Sequence, residues 1–269
     1  MEEYILKIKD DGTKITVRDV QLYLLEMLKD IDELCQKHNI SYWLTGGSAL
    51  GAVRHQGFIP WDDDADIGMM YEDYQKFLKV VNELDDRYIV QCFTTHKEYN
   101  VCIPTMKIRL KGTYCEEYNW LLRNKCKDGD GLFIDVFVID YVSENKYVDF
   151  IWRCRNFLLM LLITALENLS FNPLLLKKRF IRNARKYGAL NKNSNYIGYD
   201  LTWCFNSMLK PVVYSKESVF PVQYVKFENT KLPIPKKPKE MLDVEISVHH
   251  MQYPDKKDQV PKHIKDIEI

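Results

Sequence analysis

The 269-residue chain lacks a Cys-x-x-Cys pair, an excess of either charge, an apolar run long enough to cross a bilayer, and any repeat or low-complexity linker. Each absence narrows what the protein can be. Its seven cysteines, at positions 35, 92, 102, 115, 126, 154 and 204, are odd in number and irregular in spacing, which argues for reduced thiols over a disulfide framework. A zinc set drawn from Cys92, His96, Cys102, Cys115 and Cys126 would match no common ligand pattern. Lysine plus arginine and aspartate plus glutamate both number 38, so no global field recruits DNA or RNA, and no nucleic-acid partner is expected. The longest apolar stretch, Phe157 to Leu166, is too short for a membrane span. The opening MEEYILKIKDDG has no basic region followed by an apolar core, so no secretory signal is visible and a cytoplasmic location is expected.

What is present starts with a large apolar share. At 46% hydrophobic residues the chain can bury one large core or two modest ones. Between Gly46 and Gly68 it reads GGSALGAVRHQGFIPWDDDADIG, a Gly-Gly-Ser turn followed by Asp62, Asp63, Asp64 and Asp66. Carboxylates this close repel one another and raise each other's pKa values unless a cation neutralises them, and hard oxygen ligands suit Mg²⁺ or Mn²⁺. If Asp64-Ala65-Asp66-Ile67 opens a strand, Asp64 and Asp66 share one face while Ala65 and Ile67 enter the core. Upstream, Ser41 to Thr45 reads as a short strand broken at Gly46-Gly47, with Ser48 expected to cap a helical turn through Val53 whose free amides would meet phosphate. A solvated acidic turn is the bland alternative, opposed by the apolar flank of Phe58, Ile59, Pro60 and Trp61.

The run from Leu50 through Asp62-Asp63-Asp64-Ala65-Asp66-Ile67 resembles the signature of the LicD family, which includes bacterial phosphocholine transferases and is related to the fukutin group. That resemblance implies a nucleotidyltransferase-like fold in which a Gly-Ser turn binds phosphate, an Asp-x-Asp holds metal, and a later strand gives a third carboxylate. Gly131-Leu132-Phe133-Ile134-Asp135-Val136-Phe137 is similar to the family's second motif and nominates Asp135, since a lone ionised aspartate in an apolar run is costly unless paired or metal-bound. Asp140 is expected to end that strand and is assigned no chemistry. The family also has a basic strand before this motif, which favours Lys107 and Arg109 as phosphate contacts over an exposed strand face. Gly46, Gly47, Ser48, Arg54, His55 and Trp61 complete the expected substrate-binding set, His55 as a support, with Asp62 and Asp63 behind the ligands Asp64, Asp66 and Asp135.

The rest of the chain places these motifs. Apolar spacing predicts helices over Val17 to His38 and Tyr71 to Asp86, strands at Tyr88 to Phe93 and Pro104 to Leu110, and helices from Tyr147 to Lys186 broken at Asn172-Pro173. Tyr196 to Phe205 is ambiguous. Tyr224 to Pro235 reads as a hairpin similar to the family's Phe-Glu…Pro-x-Pro segment, and Lys239 to Val244 as a short helix. The expectation is an α/β (α+β) fold, a mixed sheet flanked by helices: a catalytic core over 1–145, a helical subdomain over 146–215, and a hairpin and tail over 216–269 completing the site. A buried helix followed by a solvated basic helix is favoured at Phe157 to Lys186, with peripheral contact at the inner membrane face left open. Where many relatives carry Tyr-Gly-Asp-Tyr-Met, this chain has Ser247-Val248-His249-His250-Met251, and the two histidines are left out of the metal set.

By resemblance, the donor would be a CDP-activated alcohol, CDP-choline first, the acceptor a sugar or glycan hydroxyl, and the by-product CMP. Tyr114, Tyr118, Trp120 and Trp203 could wall a choline cage or simply be core. Two rivals stand beside this: a nucleotidyltransferase that moves NMP and releases pyrophosphate, and a non-catalytic metal- or nucleotide-binding relative.

Overall fold

The computed structural model describes residues 4–118, 124–203, 205–206 and 208–269. A hairpin of β1 (Ile5–Ile8) and β2 (Lys14–Thr16) leads into α1 (Val17–Lys37), where Thr16 and Asp19 cap each other reciprocally. Val20, Leu24, Leu28, Ile31 and Cys35 recur at helical spacing and are buried, so α1 lies along the core by one apolar stripe. The helix stops where Asn39 turns left-handed at φ 52°. Then come β3 (Trp43–Leu44), α2 (Gly46–His55), β4 (Asp66–Met70) and α3 (Tyr71–Val80).

Next follow β5 (Tyr88–Cys92), β6 (Met106–Leu110), β7 (Tyr114–Glu117) and β8 (Phe133–Tyr141). All nine residues of β8 are buried, as its apolar run requires. It pairs in parallel with β4, and on its other edge antiparallel with β6 and, further along, with β9 (Tyr196–Tyr199). Adding β3, β5 and β10 (Val213–Ser215) makes a seven-stranded mixed sheet. The mixed α/β class expected from sequence is the class observed.

Between β8 and β9 the chain runs out into α4 (Lys146–Asn168) and back in α5 (Leu174–Leu190). This pair packs through Met160, Ile163 and Phe180 on a separate apolar cluster with Tyr99, Val101, Cys102 and Ile103. After β10 come α6 (Lys216–Val219), the hairpin β11 (Gln223–Phe227) and β12 (Thr230–Ile234), α7 (Pro238–Glu245), and β13 (Ile264–Glu268), which pairs with β7.

Several local expectations change. Ser48 is not a cap: α2 begins at Gly46, its cap position is Thr45, and Ser48 lies within the first turn. Gly46 takes φ +55°, a conformation glycine adopts without strain. Asp140 lies inside β8, one residue before its end, beside Arg185 at 3.4 Å. Helix α3 stops at Val80, and Tyr196 to Tyr199 is a strand. Helix α4 is not buried all round, since Leu158, Leu161 and Leu162 are exposed. No helix among the described residues is long and apolar enough to cross a membrane.

Candidate active site

Strand register brings the acidic motifs together. On adjacent parallel strands Asp66 stands opposite Asp135, and Lys107 on β6 stands opposite Asp135 from the other side. Asp64 lies just before β4, while Ala65 and Ile67 are fully buried, so the Asp-x-Asp alternation works as expected although the strand opens at Asp66. Asp64, Asp66, Lys107 and Asp135 line a cleft of about 480 Å³ with Glu117, Lys262 and His263. Its other wall is apolar: Ile103, Pro104, Tyr118, Phe137, Trp203 and Phe205.

Burial sets the electrostatics of this floor. It pushes the Asp64 carboxyl up to about 6, against the pull of His263, whose Nδ1 lies 3.2 Å from Asp64 Oδ2. Asp66 is raised well above the usual carboxylate range by burial and then by Asp64, Asp135 and Asp62. Asp135 is also raised by burial, although Lys107 Nζ at 2.8 Å draws it down. Two buried carboxylates and the half-buried Asp66, all resisting ionisation, have the oxygen-donor chemistry that a hard divalent cation such as Mg²⁺ or Mn²⁺ would suit.

Asp62 and Asp66 crowd the start of α2. A Cβ on Gly47 would lie 2.5 Å from Asp62 Oδ2, and one on Gly46 would lie 3.2 Å from Asp66 Oδ2, so the glycines admit the carboxylates. Ser48 Oγ accepts the Asp66 amide at 2.9 Å, fastening helix to strand. The Gly46 amide donates to Glu245 Oε2 at 2.9 Å, while Thr45, Tyr199 and Tyr214 hydroxyls converge on Glu245 Oε1 at 2.7–3.0 Å. A carboxylate from α7 thus occupies the anion position at this helix start. Glu245→Gln should therefore lower unfolding free energy by about 1–2 kcal/mol, measured in urea, because four donors lose a charged acceptor.

Asp63 has a different neighbourhood. Its carboxylate accepts the main-chain amides of Lys262, His263 and Ile264 at 2.7–3.2 Å, holding the segment that carries His263 to the cleft. Among the described residues, the grouping of three with ligand atoms within 4.8 Å is Asp62, Asp63 and His263; Asp64, Asp66 and Asp135 share the cleft at wider spacing. Asp63→Asn should cost about 1–2 kcal/mol and raise hydrogen exchange selectively over 262–268.

The basic residues divide. Lys107 is buried between Asp135 and Glu117, each at 2.8 Å, over the Phe133 ring. Arg109 is fully buried, its donors taken by Gln91, the Gly131 carbonyl and Glu117. Glu117 joins both: burial pushes its carboxyl up, but Lys107 and Arg109 outweigh that and hold it at about 2. Arg54 does not line the cleft; it donates to the carbonyls of His250 and Gln252 at 2.9 and 3.0 Å and faces the Tyr253 ring. His55 and Trp61 pack with Tyr253, so these three residues meet the segment 250–253, and of the four aspartates Asp62 is the one whose charge Arg54 feels. His250 is buried against Ser247 and Asp243.

Of the expected aromatic cage, Tyr118 and Trp203 line the cleft, Tyr114 is exposed on β7, and Trp120 lies outside the described residues. Cys35, Cys92, Cys102, Cys115 and Cys126 are buried free thiols, and burial raises Cys115 and Cys126 to about 12. Sequence reasoning missed Glu117, Phe137, Phe205, Glu245 and His263. Glu117 shares a face with Cys115 on a short strand, a signal too weak to separate it from surface acids.

Residues 39–152 match the family model LicD/FKTN/FKRP, nucleotidyltransferase domain. This chain carries a LicD-family domain. The domain contains Asp64, Asp66, Lys107, Glu117 and Asp135, whereas Glu245 and His263 reach the cleft region from outside it. Over 140 residues the chain is 33% identical to the lipopolysaccharide cholinephosphotransferase LicD of Haemophilus influenzae, covering 50% of this chain and 48% of that protein. An uncharacterised protein of Rickettsia typhi is 30% identical over 197 residues, 65% of this chain and 62% of its own length. The human ribitol 5-phosphate transferase FKRP is 44% identical over 50 residues, 19% of this chain and 10% of that protein. The chain thus spans about half of the first relative and less than two thirds of the second beside its LicD-type domain.

Proposed function

We propose that this protein transfers a phospho-alcohol group from a CDP-activated alcohol, CDP-choline first among them, to a hydroxyl of a glycan or glycoconjugate, releasing CMP. The observation that carries the reading is the trio Asp64, Asp66 and Asp135, raised in proton affinity on one cleft floor inside a LicD-type domain. The names of the relatives, a cholinephosphotransferase and a ribitol 5-phosphate transferase, support the class of group moved.

Asp64, Asp66 and Asp135 would hold one or two divalent ions, which when bound neutralise the donor's phosphates and the leaving nucleotide. Asp135 would also help to take the acceptor hydroxyl's proton. The hydroxyl oxygen then bonds to phosphorus as the bond to the CMP oxygen breaks in line. Lys107 keeps Asp135 aimed at the cleft and Glu117 keeps Lys107 in place. Trp203, Phe205, Tyr118 and Phe137 offer an apolar wall to the alcohol, and π-faces suit a quaternary ammonium.

The test is product analysis. Purified protein, Mg²⁺, a CDP-alcohol and a sugar acceptor should yield CMP in step with acceptor that carries the phospho-alcohol in phosphodiester linkage. Pyrophosphate from CTP instead would assign nucleotidyl transfer.

A further inference from the structure

The outer face of α4 is apolar where a soluble helix is polar. Ile151, Leu158, Leu162 and Leu169 fall within about 40° of one line along a helix roughly 34 Å long. All four are exposed, Leu158 by 66% and Leu169 by 68%. Past the end of α4, Phe171 in the turn and Leu175 in the first turn of α5 are exposed as well, by 64% and 81%. Isolated exposed leucines need no explanation, but a continuous stripe does.

The charges beside it are of one sign. Helix α5 carries Lys178, Arg179, Arg182 and Lys186 on its exposed face and has no acidic residue. The two acids of α4 both point inward: Asp149 is bound by Arg153 at 2.9 Å, and Glu167 by Lys177. Among the described residues none of the four outward cations meets a carboxylate. We propose that the α4–α5 pair is an in-plane docking face for an anionic lipid bilayer, its leucines entering the acyl boundary and its cations meeting headgroup phosphates. A second copy of the chain fits poorly, because self-pairing would bring like charges together with no acid between them.

The face adjoins the cleft. Cys154 Sγ of α4 lies 3.7 Å from Met208 Sδ, and Trp203 and Phe205, a few residues earlier, wall the cleft. Leu209 beside them is 83% exposed. Docking would hold the cleft mouth near the bilayer, where a lipid-borne acceptor arrives; that consequence rests on the proposed reaction, and the docking does not.

Co-sedimentation with vesicles of phosphatidylcholine, with and without phosphatidylglycerol, tests it on the full chain without turnover. The protein should pellet with the anionic vesicles. Leu158→Asp/Leu162→Asp should weaken binding by at least about tenfold. Lys178→Glu/Arg182→Glu should weaken it by about fivefold or more per cation, with binding falling as salt rises. Both pairs are exposed, and unchanged circular dichroism would establish that the variants fold. No pelleting on either vesicle, or variants that bind as the parent does, would overturn the proposal. So would a dimer in light scattering that the leucine variant dissociates.

Discussion

Asp66→Asn should abolish transfer by about a thousandfold or more while raising the melting temperature of the metal-free protein. Both effects have one cause. Asp66 sits among Asp62, Asp64 and Asp135, and its carboxyl is held well above its ordinary range by desolvation and by those neighbours. An acid whose folded pKa is raised stabilises folding fully below its unfolded value, near 3.8, and loses that contribution as pH rises through the folded value, about 6 for Asp64. At neutral pH the cluster therefore opposes folding, through repulsion where it is ionised and through proton uptake where it is not. A neutral amide of the same shape removes that cost at Asp66, and each kcal/mol recovered raises the melting temperature by about 2–4 °C. The gap between parent and variant should close as the pH falls toward 4, and Mg²⁺ should stabilise the parent more than the variant. Scanning calorimetry at several pH values, with and without Mg²⁺, measures all of this. A variant that melts below the parent without metal would show that Asp66 is a structural partner instead.

Lys107→Met should be among the most destabilising single changes, at about 3–5 kcal/mol in urea denaturation. Lys107 is 2% exposed and neutralises Asp135 and Glu117 at 2.8 Å each. Methionine fills the volume but strands Asp135 with Asp66 opposite and no cation in contact, while Glu117 keeps Arg109 at 3.0 Å. Burial lowers the proton affinity of Lys107, yet the two carboxylates outweigh burial and keep it charged. Adding Asp135→Asn to Lys107→Met should restore a substantial part of the lost stability without restoring activity, since the stranded charge is gone. If Lys107 served only to meet a donor phosphate, stability would be unchanged and KM alone would rise.

The site was legible where local pattern sufficed. Asp64-Ala65-Asp66-Ile67 announces its own alternation, and the apolar run around Asp135 marks a buried strand with one acid. The register that sets Asp66 against Asp135 joins segments about seventy residues apart, and only the family resemblance linked them beforehand. Ser48 misled because a serine after two glycines resembles a cap, whereas Gly46 and Gly47 are themselves in the helix and make room for Asp62 and Asp66. Glu245 and His263 come from the far end of the chain, and nothing adjacent to either signals where it lands. Arg54 lies within the signature yet at the other end of α2, so nearness in sequence to the aspartates did not put its guanidinium in the cleft.

Calorimetric titration with CDP-choline, CDP-ribitol, CDP-glycerol and CTP, each with and without Mg²⁺, on the parent chain and Asp64→Asn, tests the central claim most directly. Metal-dependent binding of one CDP-alcohol, lost in the variant, is the predicted result and names the donor. Preference for CTP, or no nucleotide binding under any condition, would contradict it.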